Sequence, residues 1–176
     1  MRRAVAALAA LVLSACGGPG RSSTPSSTAV AANATVTRVV DGDTIAVHVE
    51  GRDEHVRLIG IDTPETVSPT KPVMCFGKEA SEQTTRLLPP GSPIRLVRDV
   101  EARDAYGRLL AYVYRASDGL FVNLVLAEDG FADVLSIAPN TAHADEFRAA
   151  VAAARARRAG LWGACQSFGQ PVASTG

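Results

Sequence analysis

Apolar and polar positions alternate in short runs from residue 33 onward. Segments 35–40, 43–50 and 55–61 are dense in valine, isoleucine and threonine and alternate in part, the period-two pattern of strands that bury one face. Asp41-Gly42 and Gly51-Arg52-Asp53 separate them, which predicts a three-stranded meander joined by tight turns. Segment 77–88 changes to helical spacing, with Ala80, Thr84, Leu87 and Leu88 on one side and Pro89-Pro90-Gly91 as the stop. Segments 93–98 and 108–114 return to strand pattern. Segment 121–129 reads as a short helix closed by Gly130, 131–135 as a brief strand, and 141–159 as a long alanine-rich helix closed by Gly160. Phe147, Val151 and Ala154 give that last helix its apolar stripe. Five main strands, with one helix between the third and fourth and two after the fifth, predict a mainly β, α+β fold: a five-stranded OB-type Greek-key barrel with about three helices.

The flanks differ in character. In residues 1–15, Arg2 and Arg3 precede an apolar run over 4–13 that is too short to span a bilayer, the pattern of an export signal. Leu13-Ser14-Ala15-Cys16 resembles a bacterial lipobox, in which the cysteine is lipidated and becomes the new N-terminus; a plain secretory signal is the alternative. Residues 16–32 are rich in glycine, serine, threonine, proline and alanine and carry one charge, Arg21, so they read as a disordered tether. The folded domain is then 33–168, with a disordered tail at 169–176. The expected location is the outer face of the bacterial cell membrane, or the medium if Cys16 carries no lipid. With Cys16 assigned to lipid, Cys75 and Cys165 are an even pair in a compartment that permits disulfides, and a bond between them is expected.

Charge narrows the function classes. The chain has 18 basic and 18 acidic residues, and loss of Arg2 and Arg3 leaves 16 against 18, a net −2. No overall field draws it to a polyanion, so any attraction to nucleic acid is local. Arg148, Arg155, Arg157 and Arg158 sit near the C-terminus of the last helix, where the helix dipole alone favours cations, and read as a solvated face.

Four stretches carry candidate chemistry: Asp41-Gly42-Asp43-Thr44, Arg57-Leu58-Ile59-Gly60-Ile61-Asp62, Thr63-Pro64-Glu65, and Asp104-Ala105-Tyr106-Gly107-Arg108. Asp43 and Asp62 are hard oxygen ligands, and two carboxylates brought close repel unless a cation lies between them. Pro64 holds Thr63 extended, which would offer the Thr63 carbonyl as a third oxygen. Glu65 suits either of two tasks, deprotonating an attacking water or holding it as an outer ligand. Arg57 and Arg108 offer paired donors that match phosphate oxygens. Arg57 and Asp62 are five residues apart, on opposite faces of a regular strand, so they meet only if the strand breaks, and Gly60 is the place for it.

The set resembles the staphylococcal-nuclease (thermonuclease) family over about residues 35–162. Asp-Gly-Asp-Thr, Arg-Leu-Ile-Gly-Ile-Asp-Thr-Pro-Glu and Asp-x-Tyr-Gly-Arg-x-Leu-Ala-Tyr occur in the family's order, followed by Pro139-Asn140 and Leu161-Trp162. The resemblance implies a calcium-dependent nuclease acting on DNA and RNA, water attacking phosphorus to leave 3′-phosphate ends. It would make Asp43, Asp62 and the Thr63 carbonyl ligands of one Ca2+, with Asp41 nearby. Glu65 becomes base or water-orienting group, Arg57 and Arg108 phosphate clamps, and Tyr106 part of the nucleotide pocket. Nucleic acid would be the substrate, the membrane a partner through Cys16, and the chain a monomer. The Cys75 and Cys165 pair resembles bacterial members. Leu135 and Ile137 stand where the staphylococcal enzyme has tyrosines and Ala105 where it has lysine, which predicts a weaker grip on nucleotides. A noncatalytic OB module binding nucleic acid or another ligand is the alternative, but such a module interleaves basic and aromatic residues, and only 5% of this chain is aromatic. A structural calcium site would explain Asp43 and Asp62 but neither arginine.

Overall fold

A computed structural model describes residues 28–66 and 72–172. The expected export signal, Cys16 and most of the expected tether lie outside the described residues, as do 173–176.

Strands β1 (Ala34–Val39), β2 (Thr44–Val49) and β3 (Arg52–Leu58) form the expected meander, and β5 (Pro93–Val97) and β6 (Leu109–Arg115) complete a closed barrel in the order β1-β2-β3-β6-β5. Closure pairs β3 parallel to β6, Arg57 opposite Leu110, and leaves the barrel no free edge. Val36, Ile45, Val47, Val56, Leu58, Ile94 and Val113 fill the interior, each at most 1% exposed. The alternate positions on β3, Asp53, His55 and Arg57, therefore face out. The predicted OB-type barrel with three main helices is the fold.

The run expected as one strand over 55–61 is broken in two. β3 stops at Leu58, and β4 (Gly60–Asp62) leaves the barrel to pair with β7 (Asp133–Leu135). Gly60 has φ +86°, and a Cβ there would fall inside the Phe147 ring, so only glycine fits. Asn123, fully buried on α2 (Val122–Glu128), holds the corner: its Nδ2 donates to the Ile59 carbonyl at 2.9 Å while its Oδ1 accepts from the Val113 amide at 2.9 Å.

Helix α1 (Gly77–Leu87) packs its buried Ala80 and Thr84 inward, and the Thr84 hydroxyl donates to the Gly42 carbonyl at 2.6 Å, tying helix to β1–β2 turn. Helix α3 (Ala144–Ala156) starts three residues later than expected, because 137–141 is a tight turn: Asn140 donates its backbone N–H to the Ile137 carbonyl at 2.9 Å. A one-turn helix, α4 (Leu161–Ala164), was not foreseen; it seats Trp162 beneath the Arg155 guanidinium, which also pairs with Asp133.

The ends are pinned further out than the sequence suggests. Val30 donates to the Ala116 carbonyl at 3.0 Å, three residues before Asn33. The tail expected from 169 stays on the domain through 172, with Cys75 donating to the Gln170 carbonyl at 2.9 Å and Val172 to that of Val73 at 3.0 Å. The expected Cys75–Cys165 disulfide is present, with Cα atoms 6.1 Å apart, and it holds these strips together. It closes a loop of 90 residues, worth about 4 to 5 kcal/mol in the loop-entropy model. The paired substitution of Cys75→Ser and Cys165→Ser should lower Tm by roughly 10 °C or more in a thermal melt, and dithiothreitol should bring the wild-type protein to the same value.

Candidate active site

The Asp41-Gly42-Asp43 turn folds back on itself. The Val40 amide donates to the Thr44 carbonyl at 2.9 Å, and the Asp43 amide to Asp41 Oδ1 at 3.1 Å. Gly42 is required by its neighbour, since a Cβ would stand 2.6 to 2.9 Å from the Thr63 side chain. That close approach brings the turn against the end of β4.

Asp43 is 5% exposed and collects four donors. The Thr63 amide and hydroxyl reach Oδ2 at 2.8 and 3.1 Å, the Thr44 hydroxyl reaches Oδ1 at 3.2 Å, and Arg57 Nη1 lies 2.5 Å from Oδ2. A buried carboxylate survives only with such compensation. Arg57 also places Nη2 2.8 Å from Asp62 Oδ1, so one guanidinium bridges both predicted acids. The break at Ile59–Gly60 makes this possible, as the spacing of Arg57 and Asp62 requires. Arg57 is thus turned onto the carboxylates.

Asp41 is the electrostatic strain point: burial, and then the negative Asp43, push its pKa up to about 6 against the relief from the Asp43 amide and Arg57. Among the described residues, no three His, Cys, Asp or Glu side chains form a ready metal cluster. The donor chemistry nevertheless fits a hard divalent cation. Asp43 and Asp62 already converge on one positive group, and Asp41 is held next to them at a cost that added positive charge would relieve. Thr63, whose carbonyl is the expected third oxygen, is fixed here by both its bonds to Asp43.

Arg108 is set by Asp104, which opens the same candidate stretch but was given no role of its own. Asp104 Oδ2 accepts from Arg108 Nε at 2.7 Å, and its Oδ1 accepts the backbone amides of Tyr106 and Arg108 at 3.0 and 2.9 Å. Burial raises the Asp104 pKa, but the hydrogen bonds and charge of Arg108 outweigh it and hold it below the ordinary value. The signal was in the Asp-x-Tyr-Gly-Arg motif: an aspartate opening a tight turn is placed to accept amides two and four residues on. Arg108 Nη1 lies 3.5 Å from the Thr44 hydroxyl, which links it to Asp43. Its guanidinium also lies 5.6 Å from the ring centre of Tyr106, which is 86% exposed.

Glu65 follows on the Asp62-Thr63-Pro64 segment, half-buried. Its Oε1 accepts the Thr66 amide at 2.9 Å and its carbonyl accepts the Met74 amide at 2.9 Å, next to the disulfide. Asp41, Asp43, Arg57, Asp62 and Thr63 therefore form one contact network, Arg108 and Tyr106 join it through Thr44, and Glu65 adjoins it along the chain.

Arg57, Tyr106 and Arg108 line a cleft of about 500 Å3 with Leu135 and Ile137 across it. Its rim is held by a staple absent from the sequence reading. Asn140 accepts the Glu101 amide at 2.8 Å and donates to the Glu101 carbonyl at 3.1 Å, while Asp99 accepts from the Tyr112 hydroxyl and the Ala142 amide at 2.9 and 3.0 Å. The loop that carries Tyr106 and Arg108 is thereby fixed to the turn that carries Ile137.

Comparison with known proteins places the chain in a family. Residues 55–164 match the family model for the staphylococcal nuclease homologue. The chain is 43% identical over 127 residues to a thermonuclease of Staphylococcus intermedius, covering 72% of this chain and 74% of that one. It is 40% identical to a thermonuclease of Staphylococcus hyicus, covering 72% and 73%, and 39% identical to the endonuclease YncB of Bacillus subtilis, covering 74% and 61%. With its barrel, its broken third strand and its paired aspartates and arginines, the chain belongs to the staphylococcal nuclease homologue family.

Proposed function

We propose that the protein is a calcium-dependent nuclease that hydrolyses phosphodiester bonds of DNA and RNA, leaving 3′-phosphate ends. The observation that carries the reading is the single network that ties Asp43, Asp62 and Arg57 to Arg108 through Thr44, with both arginines lining one cleft. A bare binding module has no use for a buried and a half-buried acid bridged by one arginine. Asp43, Asp62 and the Thr63 carbonyl would hold Ca2+, which when bound supplies positive charge for a phosphate oxygen and for the attacking water. Arg108, aimed by Asp104, grips a non-bridging oxygen of the scissile phosphate with its free guanidinium edge. Arg57, held on Asp43 and Asp62 in this structure, would donate to the phosphate oxygens as negative charge builds on them once a cation takes over the two carboxylates. Glu65 takes up or orients the proton of the attacking water, and the Met74 amide donating to its carbonyl holds its backbone.

The full catalytic set should respond to single changes in an assay on single-stranded DNA. Arg108→Ala should lower kcat by about 100- to 1000-fold, and Glu65→Gln by about 100-fold or more. Chelation should abolish cutting and calcium restore it; equal activity in chelator would overturn the metal assignment.

We further propose that the protein is exported and held at the membrane by lipid on Cys16, with the domain acting as a monomer. The basic and apolar leader with its Leu-Ser-Ala-Cys end supports this, and a disulfide suits an oxidising compartment. In a bacterial host the wild-type chain should partition into the detergent phase, whereas Cys16→Ser should appear in the aqueous phase at its usual activity.

A further inference from the structure

The cleft beside Leu135 and Ile137 has room for one side of a phosphodiester, but a polynucleotide continues past the bond being cut. A second groove, of about 420 Å3, begins on the other side of the Tyr106–Arg108 turn and shares those two residues with the cleft. Strand register shows how it is built. Arg38 on β1 is opposite Ala46 on β2, and Ala46 is opposite His55 on β3, so the three form a row across the outer face of the barrel. The next outward positions toward the site are Thr44 and Arg57, themselves paired. Ala46 therefore makes a low floor between two taller cationic or donor side chains, and the trough runs straight from Arg57 and Arg108.

Its charge has one sign to spare near the site. Glu54 is spent on a two-pronged pair with Arg103 at 2.8 and 2.9 Å. Asp53 stands one outward row further from the site, where its carboxylate meets the His48 ring nitrogen at 3.0 Å. Arg38 is exposed and takes no acid partner among the described residues, so its positive charge is available to a ligand. The face of strands 2 and 3 is also where OB barrels present their oligonucleotide surface.

We infer that this groove, with Arg38, Ala46 and His55 as its contacts, carries the single strand on the far side of the scissile phosphate. Arg38 meets the next phosphate and the His55 ring edge donates to it, so the groove contributes to substrate affinity and not to the bond-breaking step. The inference rests on the nuclease reading.

The test compares wild-type protein with Arg38→Glu, Ala46→Leu and the remote Arg86→Glu on a thymidine dinucleotide and on a twelve-nucleotide oligothymidylate, with calcium. Arg38→Glu should raise KM for the longer strand about tenfold with kcat within about twofold, and the penalty should grow from dinucleotide to twelve-mer. It should also reduce the slope of log kcat/KM against log salt by about 0.7, the contribution of one phosphate contact on a single strand. Ala46→Leu, which fills the floor without changing charge, should raise KM in the same length-dependent way, and Arg86→Glu should not. KM unmoved in both groove variants, or a rise equal to that of Arg86→Glu, would overturn the groove. Failure of the wild-type protein to cut either substrate would instead defeat the nuclease reading.

Discussion

The ion pairs of Arg57 with Asp43 and Asp62 are the constraint on which the site depends. The Arg57 side chain is only 13% exposed and that of Asp43 8%, so each charge has given up most of its water. A buried pair of this kind adds little net stability over apolar packing, but removing one partner strands the other and costs about 3 to 5 kcal/mol. Retaining it therefore makes sense for what it positions. The bridge requires the chain to leave the barrel after Leu58, which requires glycine at 60, the Phe147 ring beneath it and the Asn123 amide closing the corner.

Much of the architecture was legible because it rests on local pattern. The strand patterns in 43–50 and 93–98, the stop at Pro89-Pro90-Gly91 and the Phe147, Val151 and Ala154 stripe all report short-range chemistry. The parts that were missed depend on contacts between distant segments. Nothing near Asn140 announces that its amide will hold Glu101, and nothing at residues 170–172 announces that they will pair with 73–75 once the disulfide forms. The start of α3 was misplaced because the turn before it is fixed by that same long-range staple.

The site itself divides along the same line. Asp43, Asp62, Arg57 and Arg108 could be named from residue type and spacing, and even the break at Gly60 followed from a parity argument. What the sequence withheld was orientation. Arg57 is turned onto the acids and Arg108 onto Asp104, so the two arginines are not equivalent: one is engaged with the carboxylates, the other is aimed with its outer edge open. Asp104 stood at the head of a candidate stretch, but its task as the aiming group needed the 2.7 Å contact to Nε.

The same asymmetry bears on how a nearly neutral protein can act on a polyanion. With no surplus of basic residues, a general field contributes little, and positive charge has to be released where the phosphate arrives. Two of the arginines closest to the site are tied to acids, Arg57 to Asp43 and Asp62 and Arg103 to Glu54. That arrangement suppresses nonspecific attraction while keeping the donors rigid. The open edge of Arg108 and Arg38, which has no acid partner among the described residues, then define the direction in which a strand is drawn, across the ridge of Tyr106 and along the low floor at Ala46. The apolar Leu135 and Ile137 on the opposite side offer contact to a base without the stacking that tyrosines would supply. Affinity in this chain is thereby shifted from the nucleoside cleft toward the phosphates, a balance expected to tolerate many base sequences because every strand presents the same backbone.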